Sequence, residues 1–461
     1  MTSEDPGVET TRTTEPVPGA QSSASGNGPR TRGRSGIGLK FLQSLVVVAF
    51  LIGGKIWIEH MKVGIELERV VYGFLQRRLE GPDQIAYCPV AVLDIAEVVK
   101  ERVESNGQTN LVTPRSTLRE MITALADVRV AAIGIDIDFS PEGGELIPGD
   151  TNFFQFCDAL QREKQMPIRL GVYRTYKKRE DEWLGDAHFA DLGGFIGVQD
   201  VHGVRHLPRW VRCSEQGRPL ASLSAGLALG ATTEEQPLVQ TNLPFWMVAV
   251  NESRVENIRR EIQASQFLVN LSWLNALEMH RFATHEACGI KALKHHLVGR
   301  VVLIGNATYG SAPDVFAVPG FERPVPGVLL HGCGVATLLA KPLFELSFPA
   351  RVIADIVLAT SVVGAVSLLC YAYDRKDRKV KMESAHSFFT AVAIIFTIVG
   401  GYNLIQWSHL LWTDFVLVAL ALWLHSPAER SFGRILRGAK SALLRILFEF
   451  SQPSAKQTKS S

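Results

Sequence analysis

The stretch VVLIGNATYGSAPD, Val301 to Asp314, decides the fold: a continuous apolar run leads into a glycine-containing loop. Such a run is typical of a strand covered on both faces, as in a parallel sheet. Gly305 and Gly310 have the spacing of a phosphate-binding loop, but Ser311 and Ala312 stand where that loop requires Lys and Ser or Thr. We therefore interpret the stretch as a buried strand and a turn whose glycines shape the backbone, and we expect no nucleotide and no other cofactor.

Similar short apolar runs recur on both sides of this stretch and alternate with helical patterns. The runs are VAVLDIA (90–96), AAIGIDIDF (131–139), PIRLGVY (167–173), GFIGVQ (194–199) and FLVNLSW (267–273). Between them lies, for instance, STLREMITALADV, where Thr117 and Glu120 form a possible capping box. GFIGVQDVHGVRHLPRW has the pattern of two strands joined at a turn. The sequence predicts an α/β domain with a mixed, largely parallel sheet.

Four longer apolar segments flank this domain, one before it and three after it. They cover residues 41–58, 352–373, 387–407 and 409–424, and each is long enough, or nearly so, to cross a bilayer. We expect the first to be an uncleaved anchor with Lys55 snorkelling near one end, since a long tail precedes it and no cleavage pattern follows. Amphipathic residues from Glu59 to Leu79 continue this helix outward.

Basic residues in short loops set the orientation of such segments. The connector after the second segment carries five of them, Arg375, Lys376, Arg378, Lys379 and Lys381, and basic residues also precede the first segment. Both signals predict cytoplasmic termini, with residues 59–349 outside. Residues 1–36 are poor in large apolar side chains and are predicted to be disordered. The net charge of +2 gives no reason to expect nucleic acid.

The tail, residues 426–461, is predicted to form a basic amphipathic helix. Apolar side chains recur at helical intervals from Phe432 to Phe450, with arginines and lysines between them. Such a helix beside a membrane lies on anionic inner-leaflet lipids or docks a partner helix.

Carboxylates supply the candidate binding residues of the outer domain. Asp136 and Asp138 alternate along one strand and therefore share a face. They would bind a divalent cation or act as acid and base, or they cap a loop and a helix start at the edge of the sheet. Asp314, after the opening strand, is a third candidate.

Two carboxylates within the predicted spans are candidates for relaying a signal, because such groups are costly in a membrane and often functional. Asp355 follows Arg351 by one helical turn, which predicts a local ion pair. Asp414 has no such neighbour and would serve a contact between helices or signal transmission.

Histidines and cysteines form no strong metal or catalytic pattern. HRFATHEAC lacks the second histidine of a zinc helix, and His202 and His206 lie in a strand-turn context. His331 and Cys333 are two apart, so they do not face each other on a helix. For the six cysteines we expect mostly buried thiols and one disulfide at most.

Together these segments resemble the CHASE2 family, the extracytoplasmic sensory domains of bacterial receptors. The resemblance covers roughly residues 65–345 and rests on Arg115 with its helix, AAIGIDIDF, GFIGVQDVHGVRHLP with Asp200, Gly203 and Arg205, GRVVLIGNATYGSAPDVFAVP and VPGVLLHGCGVATLL. It adds Asp200 and Arg205 to the candidate ligand-binding residues. The family also has one helix before the domain and three after it, usually followed by an output enzyme, for which the residues after Leu424 carry no motif.

We therefore expect a multi-pass sensor of the bacterial inner membrane that is not itself an enzyme. It would perceive an unknown external ligand or state, work as a homodimer, and pass the change to a separate cytoplasmic protein. The alternatives are a membrane-anchored enzyme using Asp136, Asp138 and Asp314 outside, or a passive scaffold for an envelope or defence complex. The stretch Val301 to Asp314, close to the second span, is a candidate place where ligand state reaches the bilayer.

Overall fold

A computed structural model of the chain describes the outer domain and parts of the predicted spans. It covers most of residues 46–58, and then 61–79, 82–105, 107–140, 146–173, 189, 191–198, 204–212, 219–232, 247–248, 250–257, 260–310, 314–340, 342–374, 382–411 and 419. The two predicted tails, 1–36 and 426–461, and most of the predicted fourth span lie outside these residues.

Helices and strands alternate along the described chain. The helices are α1 Lys62–Leu79, α2 Arg115–Val128, α3 Asp150–Lys164, α4 Leu223–Ala231, α5 Leu274–Met279, α6 Ala287–Ala292, α7 Lys294–Leu297, α8 Gly327–Leu339, α9 Phe348–Asp374 and α10 Met382–Ser408. Short 3-10 turns cover Pro82–Gln84 and Leu271–Trp273. The strands are β1 Val90–Asp94, β2 Glu101–Ser105, β3 Gln108–Val112, β4 Ala132–Asp136, β5 Ile168–Val172, β6 Gly193–Phe195, β7 His206–Arg212, β8 Leu220–Ala221, β9 Met247–Val248, β10 Val250–Asn257, β11 Arg260–Leu268, β12 Arg281–Phe282, β13 Val301–Gly305, β14 Val315–Phe316, β15 Val325–Pro326, β16 Phe344–Leu346 and β17 Leu410–Leu411.

The central sheet has six strands in the order β12-β1-β13-β4-β5-β6. Every neighbouring pair in it is parallel. The opening strand, β13, lies between β1 and β4, with Gly305 opposite Asp94 on one side and Asp136 on the other. The last residues of three parallel strands therefore meet at one edge of the sheet, where α/β proteins commonly bind ligands.

Both faces of this sheet are covered by helices, which explains why β13 is apolar at every position. Alternate side chains of a strand point to opposite faces. Val301 and Leu303 pack in the layer that contains α1, α4 and α8. Val302 and Ile304 pack in the layer that contains α2, α3, α6 and α7. Burying each such side chain stabilises the fold by about 1.5–3 kcal/mol.

The predicted α/β fold and the parallel pairing are confirmed, with differences in the details. Five of the six apolar runs lie in the central sheet, but FLVNLSW ends β11 and continues into the 3-10 turn. The antiparallel strands form a second sheet, β10-β11-β7-β8, so β6 and β7 do not pair as the strand-turn-strand pattern predicts. Helix α2 begins at Arg115 after Pro114, with no side-chain cap, so the predicted capping box at Thr117 and Glu120 is wrong.

The segments predicted to cross a membrane are helical where the structure describes them, except for the fourth. Residues 52–58 are helical, and α9 and α10 contain the second and third predicted spans. Among the described helices, one stretch, Ala391–Ser408 of α10, is long and apolar enough to cross a membrane by length and composition. The start of the predicted fourth span is not helical: after His409, which has a φ of 54°, β17 pairs in parallel with β16.

Candidate buried carboxylate site

The loop after β13 and the start of α8 meet at the carboxyl edge of the central sheet. Gly305 ends β13, and a Cβ atom there would lie 2.8 Å from Val328 Cγ2 and 3.0 Å from Asp136 Cβ. Gly310 adopts a φ of 87°, in the left-handed region that favours glycine. Both glycines of the opening stretch therefore shape the backbone, and the first brings α8 against the end of β4.

Asp136 is the most enclosed of the candidate ligand-binding residues that the structure describes. It ends β4, and its side chain is 3% exposed. Its Oδ1 lies 4.0 Å from Nε2 of His331. Burial disfavours the charged form and raises the pKa of Asp136 from 3.8 to about 7. The carboxyl can therefore gain or lose a proton near neutral pH.

Asp314 approaches the same point from the segment before β14. A Cβ atom on Gly327 would lie 2.3 Å from Asp314 Oδ2, so the carboxylate sits directly against the first residue of α8. The backbone nitrogen of Gly327 also donates to the Asp314 carbonyl at 3.0 Å. Burial of the carboxyl and, to a smaller extent, the charge of Asp136 raise the pKa of Asp314 to about 6, while the charge of His331 opposes both.

His331 completes the cluster from the second turn of α8, and its side chain is 1% exposed. Its Nε2 lies 3.2 Å from the carbonyl oxygen of Ile196, and its Nδ1 lies 3.2 Å from Ser224 Oγ. The Ser224 hydroxyl also lies 3.0 Å from the His331 carbonyl oxygen. Burial lowers the pKa of His331, while the charge of Asp314 and the Ile196 carbonyl oppose this.

Sequence reasoning missed His331 and Ser224 as members of this site. It tested His331 only against Cys333, whereas its partners lie far away in the chain. A usable signal was present in VPGVLLHGCGVATLL, the segment that follows Asp314: positions 327 and 331 share a face if this segment is a helix.

The other candidate ligand residues lie elsewhere or outside the described residues. Asp138 is exposed and accepts hydrogen bonds from the backbone nitrogens of Ser140 and Tyr173, at 2.9 and 3.1 Å, so it caps the loop after β4. Asp200 lies outside the described residues. Arg205 precedes β7, and its Nη1 lies 2.6 Å from Glu68 Oε1 of α1. The cluster of Asp136, Asp314 and His331 is called the buried carboxylate site below.

Arg205 and its neighbour His206 form a junction between α1 and the segment that precedes α9. Arg205 stacks over the Tyr72 ring at 5.9 Å, and the Tyr72 hydroxyl donates to the Val269 carbonyl at 2.8 Å. His206 Nε2 lies 3.4 Å from Glu345 Oε2 in β16, which directly precedes α9. One end of strand β7 thus contacts both the extension of the first helix and the approach to the second. We call Arg205, His206, Glu68 and Glu345 the stem junction.

Of the two predicted relay residues, Asp355 forms a long-range ion pair. Lys55 lies in the helical residues 52–58, the first predicted span, and donates to Asp355 Oδ2. The two side chains are 4% and 2% exposed. The prediction that Lys55 snorkels to the surface is therefore wrong, because a buried carboxylate is available as its partner. Arg351, the predicted partner of Asp355, stacks over the Phe348 ring at 5.9 Å. Asp414 lies outside the described residues.

Metal ligands and thiols add no further site to the described part of the chain. No group of three or more His, Cys, Asp or Glu side chains there could hold a metal ion. Cys88, Cys157 and Cys333 are buried free thiols and Cys288 is an exposed one, which confirms mostly buried thiols for these four. Cys213 lies outside the described residues.

Comparison with known protein families gives one match. The model of the CHASE2 domain matches residues 44–366, which include the central sheet, the buried carboxylate site and the stem junction. No curated protein and no solved structure is similar enough to the chain to count as a match.

Proposed function

Because the chain belongs to the CHASE2 domain family, an extracellular sensory family, we propose that it is a multi-pass membrane sensor whose outer domain relays a stimulus to a cytoplasmic partner. The observation that carries the proposal is the stem junction. Adjacent residues, Arg205 and His206, contact Glu68 of α1 and Glu345 of β16. A change inside the domain that moves the start of β7 would therefore act on both helices that lead to the membrane.

The ion pair between Lys55 and Asp355 supports coupling between these same two helices. It joins residues 300 positions apart, and both side chains are almost fully enclosed. Separating two buried charges is strongly unfavourable. The first helix and α9 would therefore move together, and the stimulus would reach the inner face as a rearrangement of the pair relative to the rest of the bundle.

The proposed membrane arrangement has four spans, cytoplasmic termini and an outer domain of residues 59–349 in the bacterial inner membrane. The basic connector of residues 375–381 supports this orientation. The inner surface offered to the partner would then be this connector and the basic tail, residues 426–461. Part of the tail would rest on anionic lipids, and two copies of the chain would form the signalling unit.

We propose sensing rather than catalysis for the outer domain. An extracytoplasmic enzyme using Asp136 and Asp314 needs a substrate within hydrogen-bond reach of a carboxylate. Asp136 is enclosed, and Asp138 is occupied by backbone donors of its own loop. The enclosed carboxyl of Asp136 fits the binding of a very small ligand, followed by displacement of a helix, better than it fits the role of a general base.

The test is crosslinking in native membranes followed by mass spectrometry, with the unaltered chain and the Arg205→Ala variant side by side. We expect a cytoplasmic protein to crosslink to the unaltered chain, and we expect its yield to change in Arg205→Ala. Arg212→Ala is the matched control, since Arg212 lies at the far end of β7 and stacks over Trp210 at 5.5 Å. Deletion of residues 426–461 should abolish the crosslink. Recovery of no cytoplasmic protein from the unaltered chain would contradict the proposal.

A further inference from the structure

The buried carboxylate site lies at the start of the helix that leads towards the second span. Helix α8 begins at Gly327 against the Asp314 carboxylate and carries His331. It ends at Leu339, and β16 and then α9 follow within ten residues. A displacement of the first turns of α8 would reach both Glu345 of the stem junction and the start of α9.

The charged groups around the site do not balance its negative charge. Strand β4 contributes Asp136, the segment before β14 contributes Asp314, and α8 contributes His331. Strand β13 contributes only Gly305, and α4 contributes the uncharged Ser224. Within the described residues, no lysine or arginine forms an ion pair with either carboxylate.

Two cations on other strands of the central sheet interact with other carboxylates. Arg281 of β12 pairs with Asp94, the last residue of β1. Arg169 of β5 packs against α4 at Gly226, and its guanidinium interacts with the charge of Asp191. The charges of the two carboxylates thus interact at a site where burial opposes protonation of the one neighbouring histidine, and like charges at such a site favour the retention of a proton.

The hydrogen bonds of His331 accommodate either of its protonation states. In the imidazolium, Nδ1–H donates to Ser224 Oγ, the Ser224 hydroxyl donates to the His331 carbonyl, and Nε2–H donates to the Ile196 carbonyl. In the neutral ring with its proton on Nε2, the Ser224 hydroxyl can donate to Nδ1 instead. The site can therefore exchange a proton without breaking its contacts to α4 and to the segment after β6.

We propose that Asp136, Asp314 and His331 form a proton-binding site, and that its occupancy by a proton from the external medium sets the position of α8. This inference rests on the proposed function, since it names the stimulus that the sensor perceives. The exposed Asp314 gives the site contact with solvent. The proton joins a carboxylate oxygen and removes one negative charge, which ends the repulsion between the two carboxyl groups.

Loss of the proton restores two interacting negative charges, and their repulsion drives Asp314 away from Asp136. Asp314 already lies against Gly327, so it cannot move towards the helix without displacing the first turn of α8. The directions of the pKa changes agree with this mechanism, because burial raises the pKa of Asp136 to about 7 and that of Asp314 to about 6. The site would change its occupancy close to neutral pH.

The experiment uses the full chain in lipid nanodiscs and measures proton binding and helix movement separately. Infrared difference spectra between pH 5 and pH 8 report buried protonated carboxyl groups. Hydrogen exchange of the α8 backbone amides, corrected for the intrinsic effect of pH, reports the movement. Helix α2 is the internal control, because Asp150 beside it is paired with Arg115. Asp138→Asn is the control variant, because that carboxyl lies in an exposed loop cap.

We expect a protonated carboxyl signal that disappears near pH 7, and a change of α8 exchange on the order of tenfold at the same pH, which corresponds to one pKa unit of coupling. Asp136→Asn should abolish both, and Asp138→Asn should leave both intact. Asp314→Asn provides a second test if Asp136→Asn does not assemble.

Two results would overturn the inference, and they have different consequences for the proposed sensor function. A carboxyl signal that persists unchanged in both Asp136→Asn and Asp314→Asn removes the proton site, while the sensor function remains open to another stimulus. A signal that disappears in the variants, with α8 exchange independent of pH in the unaltered chain, removes the coupling of the site to the helix. In that case the relay through α8 fails together with the proton as its stimulus.

Discussion

Asp94 and Asp136 end the two strands that flank β13, β1 and β4, but they differ in how well their carboxylates are hydrogen-bonded. Asp94 accepts two hydrogen bonds from Arg281, at 2.6 and 3.1 Å, and one each from the backbone nitrogens of Ala96 and Ala307, at 3.0 Å. The neighbours of Asp136 are the His331 ring, whose Nε2 lies 4.0 Å from Asp136 Oδ1, and the carboxylate of Asp314. The same residue type at the same edge of one sheet is a structural anchor in one case and an uncompensated charge in the other.

The difference indicates which of the two carboxylates can change its charge while the fold stays intact. A buried carboxylate that is fully hydrogen-bonded stabilises one arrangement of its loops, and changing its charge breaks that arrangement. A buried carboxylate without such donors changes its charge near neutral pH, where the free energies of its two states are similar. The first holds the loop after β13 in place, and the second responds to conditions.

The largest expected effect is the loss of stability in Asp94→Ala. This change leaves the amides of Ala96 and Ala307 without their acceptor and removes the partner of Arg281, and breaking a buried pair costs about 3–5 kcal/mol. Thermal unfolding of the outer domain within the full chain, followed by tryptophan fluorescence, measures the loss. Asp94→Asn keeps an oxygen acceptor and should lose less. Equal stability of Asp94→Ala and the unaltered chain would remove the contrast between the two aspartates.

The second effect has the opposite sign: Asp136→Asn should stabilise the protein at pH 8. The folded state holds the proton of Asp136 up to a pKa of about 7, whereas the unfolded chain releases it near 3.8. Asp136 therefore contributes stability below pH 4 that is lost as the pH rises to about 7. The amide variant removes this dependence, with a gain of about 1–3 kcal/mol at pH 8, the cost of an unpaired buried group.

Chemical unfolding of the two proteins at pH 5 and pH 8 measures this gain. Asp138→Asn is the matched control, since it exchanges a carboxylate for an amide in the exposed loop two residues away and keeps Asp136, so it should not show the gain at pH 8. A variant less stable than the unaltered chain at pH 8 would mean that the charge of Asp136 is compensated after all.

The aspartates also show how far the sequence alone predicts this molecule. Strand β13 and its neighbours were predictable because burial on both faces demands continuous apolar runs, and Asp136 and Asp314 were named because they follow such runs. The hairpin of β10 and β11 was not predicted, since VNESRVEN and QASQ are polar and contain no continuous apolar run. Asp94 was not singled out, because its partners Arg281 and Ala307 lie 187 and 213 residues away.

The charged contacts could not be predicted because local spacing does not determine them. Arg351 and Asp355 fit the helical rule for an ion pair, but Lys55 comes close to Asp355 only after the first helix and α9 pack together. Arg205 was assigned to a ligand, and the structure brings it to Glu68. Each of these contacts depends on the packing of whole elements, and a pattern within one segment carries no information about it.

A smaller effect is expected from Gly327→Ala. Its Cβ would lie 2.3 Å from an oxygen of Asp314, so the carboxyl must move away from the start of α8. Since that side chain is exposed and can rotate, we expect a cost of about 1 kcal/mol, at the low end for overpacking. In the geometry of the proposed relay, this move brings the carboxyl closer to Asp136 and strengthens the repulsion, so the pKa of Asp314 should rise. Infrared titration of the variant measures this change, and an unaltered titration would show that the two carboxylates do not interact.

The smallest effect is expected from Ser224→Ala, which tests the uncompensated side of the comparison. Loss of the hydroxyl removes the partner of His331 Nδ1 while the Nε2 contact to Ile196 remains, at a cost of about 0.5–1.5 kcal/mol for one hydrogen bond. The cost should be larger at pH 5 than at pH 8, because an imidazolium Nδ1–H without an acceptor is worse than a neutral nitrogen without a donor. Unfolding at the two pH values measures the difference. Ser222→Ala is the control, since it removes the cap of the same helix, α4, and Ser222 has no hydrogen bond to His331. Equal losses of stability at both pH values in Ser224→Ala would mean that His331 stays neutral and that the proton resides on the carboxylates alone.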